Sequence, residues 1–172
     1  MLDVGCGTGS ALAEYQHAGY TPSGIDGSEA MLNKARERLG PGADLRLGDA
    51  TALPYEDDTF DLVAAAFVVH EMPTGSRSKV LAEMARVAAA DGEILLIEQH
   101  AGAPRGIDGR LRRAVTVVAE RGAGREHFRN YREFVRTGGI PTAAKQARLT
   151  IDREKIIAKG NIALFVAVPS RT

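Results

Sequence analysis

The sequence predicts an α/β fold, a mostly parallel sheet covered by helices, with one strand running backwards. Two observations carry this. Over residues 1–100 short β-like runs alternate with helical stretches, the pattern of repeated βαβ units. At the C-terminal end, Thr150–Ala158 and Ile162–Val168 are β-like runs separated by Lys159-Gly160-Asn161 alone. That gap is far too short for a parallel crossover, so the pair reads as an antiparallel hairpin.

The elements follow in order. Met1–Val4 reads as the end of a first strand, and Ser10–Ala18 as a helix that turns Leu12 and Tyr15 inward and stops at Gly19. Thr21–Asp26 is the second strand. Ser28 caps the next helix, whose Met31, Leu32, Ala35 and Leu39 keep helical spacing until Gly40-Pro41-Gly42 breaks it. Ala43–Leu47 is the third strand. Phe60–Val69 is a near-continuous apolar run, as expected of a strand buried on both sheet faces. Pro73-Thr74-Gly75-Ser76 then opens a helix that buries Val80, Met84 and Val87, and Asp91-Gly92 turns the chain into a fifth strand, Glu93–Glu98.

With 172 residues and 44% apolar content, the chain suffices for one domain with a core and is short for two. Residues 1–100 form the expected cofactor-binding half, 101–140 a helical insert, and 141–172 a closing helix and the hairpin. The insert is the compositional anomaly: nine arginines, no lysine and four acids, a net of +5 balanced by −5 elsewhere. It reads as two helices hinged at Gly122-Ala123-Gly124. Arg125, Arg129, Arg132 and Arg136 recur at helical spacing with Glu126 and Glu133 between them, as on a solvated face.

Lys plus Arg equals Asp plus Glu at 22 each, so no global field draws the protein to nucleic acid or an anionic membrane. The one cysteine, Cys6, excludes an internal disulfide and a multi-cysteine zinc site. No apolar run approaches the roughly 18–20 residues of a membrane span. The reading is a soluble, cytoplasmic protein with no metal.

The chemistry gathers at strand ends. Gly5-x-Gly7-x-Gly9 between strand and helix sets bare backbone beside a ligand, because glycine removes obstructing side chains and tolerates positive φ. A dinucleotide fingerprint wants a third glycine where Ser10 stands, so the spacing favours a nucleoside cofactor without phosphates. Asp26 ends the second strand where a carboxylate can accept from both hydroxyls of a ribose, although it could equally cap the helix that follows. Gly48-Asp49-Ala50 ends the third strand at the same sheet edge, where Asp49 can accept from an exocyclic amine.

Leu2–Gly9, Gly24-Ile25-Asp26-x-Ser28-x-x-Met31-Leu32, Gly48-Asp49-Ala50-x-x-Leu53-Pro54, Phe60-Asp61-Leu62-Val63, His70-Glu71-Met72-Pro73 and Glu83-x-x-Arg86-Val87 together resemble class I S-adenosylmethionine-dependent methyltransferases of the ubiquinone/menaquinone-biosynthesis type. The resemblance covers residues 1–100 and thins beyond. It implies a Rossmann-like three-layer sandwich with sheet order 3-2-1-4-5-7-6 and strand 7 antiparallel. It implies S-adenosyl-L-methionine as cofactor, held by Asp3, Gly5, Cys6, Gly7, Gly9, Asp26, Gly27, Met31, Asp49, Ala50, Phe67 and Val68, with Phe67-Val68 beside the sulfonium. The family usually begins tens of residues earlier, so the resemblance also implies a short N-terminus and weaker cofactor binding than in a longer relative.

Methyl transfer is an in-line displacement at an already activated carbon, so placement of the acceptor can supply much of the rate and a base is optional. His70, His100 and His127 are the candidates for one, each with a hydrogen-bonded structural role as its bland alternative. The expected reaction is methylation of a small-molecule acceptor, with a homodimer left open. A nucleotide-binding oxidoreductase and a non-catalytic S-adenosylmethionine-binding module are the competing readings. Nucleic-acid methylation is disfavoured because Ala65-Ala66-Phe67-Val68 lacks an Asn/Asp-Pro-Pro-aromatic motif.

Overall fold

Seven strands form one sheet in the order β3-β2-β1-β4-β5-β7-β6 in the computed structural model, which describes residues 1–169. The strands are β1 (Leu2–Val4), β2 (Ser23–Asp26), β3 (Asp44–Leu47), β4 (Phe60–Ala66), β5 (Ala88–Gln99), β6 (Leu149–Ile157) and β7 (Ile162–Pro169). The first five pair in parallel and β7 runs antiparallel to both β5 and β6, as the short hairpin connection requires. Strand order reverses between β1 and β4, which opens a crevice at the carboxyl edge of the sheet.

The helices are α1 (Ser10–His17), α2 (Glu29–Leu39), α3 (Thr74–Val87), α4 (Gly106–Gly122), α5 (Arg125–Arg136) and α6 (Ile140–Gln146). One face of the sheet carries the larger core. There Leu2, Val4, Val63, Ile94, Leu96 and Phe165 pack against Val80, Leu81, Met84 and Val87 of α3, Phe134 of α5 and Ile140 of α6. The other face packs Cys6, Leu12 and Leu32 under α1 and α2. Burial of side chains of this size stabilises by roughly 1.5–3 kcal/mol each.

The sequence expectations fail locally in three places, the first at Asp91-Gly92, which was expected to turn the chain but lies inside β5, where the pairing with β4 shifts register. Tyr15 is half-buried and meets Tyr20 edge-on, because α1 ends two residues later at His17 and its last residues are exposed. The apolar run to Val69 is not all strand: β4 stops at Ala66, Phe67 takes a positive φ of 58°, and Val69–Glu71 coil into a 3-10 turn. The cause is the Glu98 carboxylate at the end of β5, which accepts the backbone N–H groups of Val69 and His70 and pulls them out of the ladder.

The arginine-rich segment forms two helices broken at Gly122-Ala123-Gly124. On α5, Arg125, Arg129, Arg132 and Arg136 are exposed, while Asn130, Tyr131 and Phe134 are buried against the turn that follows β4. The insert therefore leans over the carboxyl edge of the sheet, where the strand-end acids lie.

Candidate functional site

A cavity of about 830 Å³ opens at this edge. Its wall begins in the loop from β1 to α1, where Gly5 and Gly7 have φ of 73° and 53°. A Cβ on Gly7 would meet no protein atom within 4 Å and would project into open space; one on Gly5 would strike Val68 at 2.5 Å. Asp26 closes the next side. Its Oδ2 accepts the N–H of Gly7 and its Oδ1 that of Ser28, both at 2.8 Å, so the carboxylate ties the loop to the start of α2 and keeps further lone pairs for a ligand. Ser28 caps α2 by accepting from Met31, whose side chain lies over the cavity 41% exposed. Gly48, Asp49 and Ala50 follow at the end of β3, with Asp49 Oδ1 holding the N–H of Thr51, a bond that keeps its carboxyl below the ordinary range. Ala66, Phe67, Val68, Glu71 and Met72 complete the wall.

The segment that carries Asp49 is clamped from behind. The Arg86 guanidinium donates to the carbonyls of Leu53 and Tyr55, to Asp57 and to both oxygens of Glu83, while Glu83 accepts the N–H of Leu53. These charge-assisted bonds raise the pKa of Arg86 further.

Not every expected cofactor residue reaches the cavity. Asp3 and Cys6 are buried under the glycine loop, 3% and 7% exposed, and burial pushes the Asp3 carboxyl up to about 7 and the Cys6 thiol up to about 12. Cys6 is thus a small packing residue clustered with Leu12 and Leu32, not a nucleophile. Gly9 faces away: a Cβ there would sit 3.0 Å from Ala35, so its bareness lets α1 and α2 pack.

The three histidines part company. His100 lies elsewhere, with Nδ1 3.0 Å from the carbonyl of Gly160 and its ring in a separate cavity beside Ala101 and Pro141. His70 and His127 come together, rings 5.9 Å apart. His70 is 2% exposed and its Nδ1 is 2.7 Å from Oε2 of Glu98, which is itself fully buried. Glu120 of α4 stands between the histidines, Oε2 at 2.5 Å from Nε2 of His127 and Oε1 at 3.6 Å from Nε2 of His70. Burial acts to lower the His70 pKa, but the hydrogen bond to Glu98 and the charges of Glu98, Glu120 and Glu71 outweigh it and raise the value. Glu71, which joins this cluster to the cavity wall, has its carboxyl raised by burial.

The residues matched by a family model described as "Methyltransferase domain" are 1–92, more than half of the chain and all of the strand ends above. The chain belongs to this methyltransferase domain family. It is 42% identical over 106 residues to a phosphatidylethanolamine N-methyltransferase of Cereibacter sphaeroides, covering 59% of this chain and 51% of that one. It is 35% identical to an amino pentose methyltransferase of Micromonospora echinaspora solved with S-adenosylmethionine bound, with a TM-score of 0.51 over 55% of this chain and 40% of that one. A protein of Pyrococcus horikoshii OT3 shares the fold at a TM-score of 0.74 and 22% identity, over 98% of this chain and 80% of that one. This methyltransferase domain spans about half the length of the curated relatives it matches.

The amino pentose methyltransferase holds S-adenosylmethionine, and the cavity here fits that cofactor. The Gly7 cradle leaves room where a side chain would intrude, Asp26 presents a carboxylate fixed by two backbone bonds, and apolar Met31 and Leu47 flank Asp49 and Ala50. Ile25, Ser28, Leu47, Gly48, Ala66, Glu71 and Met72 also line the cavity and were not named as cofactor residues from the sequence. For Ile25, Ser28, Leu47, Gly48 and Ala66 the signal was position, close to a strand-end residue that was; Glu71 and Met72 stood in the His70-Glu71-Met72-Pro73 motif.

Proposed function

We infer that the protein transfers a methyl group from S-adenosylmethionine to a small-molecule acceptor. The observation that carries this reading is the meeting of four strand ends, at Gly5, Asp26, Asp49 and Phe67, around one cavity large enough for a nucleoside and a second molecule. Bound there, the sulfonium supplies a methyl carbon already activated for in-line displacement.

The chain's own residues then bind, orient and exclude water. Asp26 accepts from the ribose hydroxyls, Asp49 and the N–H groups beyond it face the base, and the bare backbone at Gly5 and Gly7 lies along the methionine part. Phe67 and Val68, held in place by the sharp turn at positive φ, border the sulfonium with Met72 and keep water from competing with the acceptor. Glu71 is the polar group on the acceptor side. Its raised pKa suits it to hold an acceptor hydroxyl or amine by hydrogen bond. His70 touches none of this directly and acts as a positioning residue, through the turn that it and Glu98 fix. His127 of α5 stands beside His70 and Glu71, outside the cavity lining. His100 has no part in the reaction.

Calorimetric titration with S-adenosylhomocysteine, with NAD as the competing nucleotide, tests the cofactor assignment. Saturable binding of the former alone is expected. Binding of NAD alone overturns the reading in favour of an oxidoreductase. Transfer of labelled methyl to a metabolite extract then separates an enzyme from a binding module.

A further inference from the structure

Beside the cavity, and joined to it through Glu71, lies a cluster organised like a coordination site. His70 gives its Nδ1–H to Glu98, which already accepts the N–H groups of Val69, His70 and Gln99. That bond orients the ring, so Nε2 lies 3.6 Å from Oε1 of Glu120, with 3% of the His70 side chain exposed. A buried nitrogen and a carboxylate oxygen at this distance need a positive charge between them, and a metal cation can supply it as a proton can. Glu120 turns its other oxygen to His127, and Glu71 stands on the open side.

No arginine among the described residues forms an ion pair with Glu71, Glu98 or Glu120, although Arg77 lies close enough to Glu98 for the two charges to interact. Arg77 spends its guanidinium on the carbonyls of Met72 and Asn130 and on the ring of Phe134. Arg113 donates to the carbonyls of His100 and Gly102 and to the side chain of Asn161.

We propose that His70, Glu71 and His127, with Glu120 as a fourth donor, bind one divalent transition-metal cation at the acceptor end of the cavity. Ligand atoms of the first three lie within 4.8 Å of one another. Metal bonds of roughly 2.0–2.2 Å to nitrogen and carboxylate oxygen draw them together by small side-chain movements. Two imidazoles with carboxylates suit Zn²⁺, Fe²⁺ or Mn²⁺ rather than the all-oxygen cations. Glu98 behind His70 completes the carboxylate–histidine pair that orients a metal-bound imidazole. The ion would join α4 and α5 to the turn after β4, and Glu71 places it at the border of the acceptor's space.

The test is titration of chelator-stripped protein with Zn²⁺ alone and with Mn²⁺ alone, without methyl donor, followed by Co²⁺ substitution and its visible spectrum. One equivalent of bound metal and a ligand-field spectrum of protein-coordinated Co²⁺ are expected. His127→Gln, at a partly exposed ring, weakens binding at least about tenfold, whereas His100→Gln, outside the cluster, leaves it unchanged. Melting curves check that both variants fold; if His127→Gln does not, Glu71→Gln takes its place with the same expectation. No saturable binding of any of the three ions, as when a proton on His70 fills the gap, overturns the proposal. So does unaltered affinity in the His127 variant, or equal weakening in the His100 variant. Because no methyl donor is present, this result stands apart from the fate of the cofactor assignment.

Discussion

Gly7 donates its backbone N–H to Oδ2 of Asp26 at 2.8 Å, across the floor of the cavity. The loop that would cradle the cofactor and the acid that would hold its ribose are therefore one unit, and the second oxygen extends that unit to Ser28 and α2. Asp26→Asn turns one acceptor into an N–H₂ group that must face a backbone donor or a ribose hydroxyl. Loss of a hydrogen bond to a charged group costs about 1.5–3 kcal/mol. S-adenosylhomocysteine should bind about ten- to a hundredfold more weakly by calorimetry, and an unchanged affinity would show that Asp26 only caps α2.

Gly7 and Gly9 look equivalent in the motif and differ in the fold. Alanine at Gly7 meets no protein atom, so its folding penalty is confined to the strain of φ 53°, about 1–2 kcal/mol, while its methyl group occupies ligand space. Alanine at Gly9 bears similar strain at φ 72° and also presses on Ala35, 3.0 Å from its Cβ and 3.2 Å from its Cα. Gly7→Ala should lose cofactor affinity out of proportion to stability. Gly9→Ala should melt lower by a further 1 kcal/mol or about that, yet bind normally once folded. Thermal melts and titrations on both variants check this.

The contrast shows what the sequence could carry. Alternation of β-like runs and helices, and the three-residue link at Lys159-Gly160-Asn161, were enough for the parallel sheet with one reversed strand. The strand order came from family resemblance, because periodicity does not say which strands are neighbours. Asp26 and Asp49 were legible as acids at strand ends. Glu98 was not, although an acid closing the apolar run Ile94–Ile97 is a signal that it is buried with donors around it. Glu120 was hidden for the opposite reason, since an acid among arginines on a helix looks like a solvated face. Gly9, Asp3 and Cys6 were grouped with the ligand by adjacency in the motif, and only packing separates them from it.

Asp3 couples stability to pH. Burial, aided by the charge of Asp26, raises its carboxyl from 3.8 to about 7 in the folded protein. The folded state then binds more protons than the unfolded state between those values, so stability falls as pH rises through this window. Below about pH 4 the group costs nothing; above pH 7 its full penalty is present, up to about 4 kcal/mol. Asp3→Asn removes the titration. Urea unfolding at pH 5 and pH 8 should show the variant gaining on the parent at the higher pH, and parallel pH slopes would contradict the assignment.

Arg86 supports the site from a distance. Its planar guanidinium meets Glu83 twice and also holds Asp57 and the carbonyls of Leu53 and Tyr55, five contacts of 2.7–2.9 Å. A lysine ammonium has three donors on a flexible stem and cannot serve Glu83 and the loop together. Arg86→Lys should therefore leave at least one loop carbonyl unpaired, at a cost of about 1–3 kcal/mol. The consequence reaches the cavity because the same segment begins at Asp49. Amide exchange should quicken from Thr51 to Tyr55, and S-adenosylhomocysteine binding should weaken by a few-fold, less than for Asp26→Asn. If exchange quickens while affinity holds, the loop is pinned for stability alone, and the cavity edge at Asp49 is held by its own bond to the N–H of Thr51.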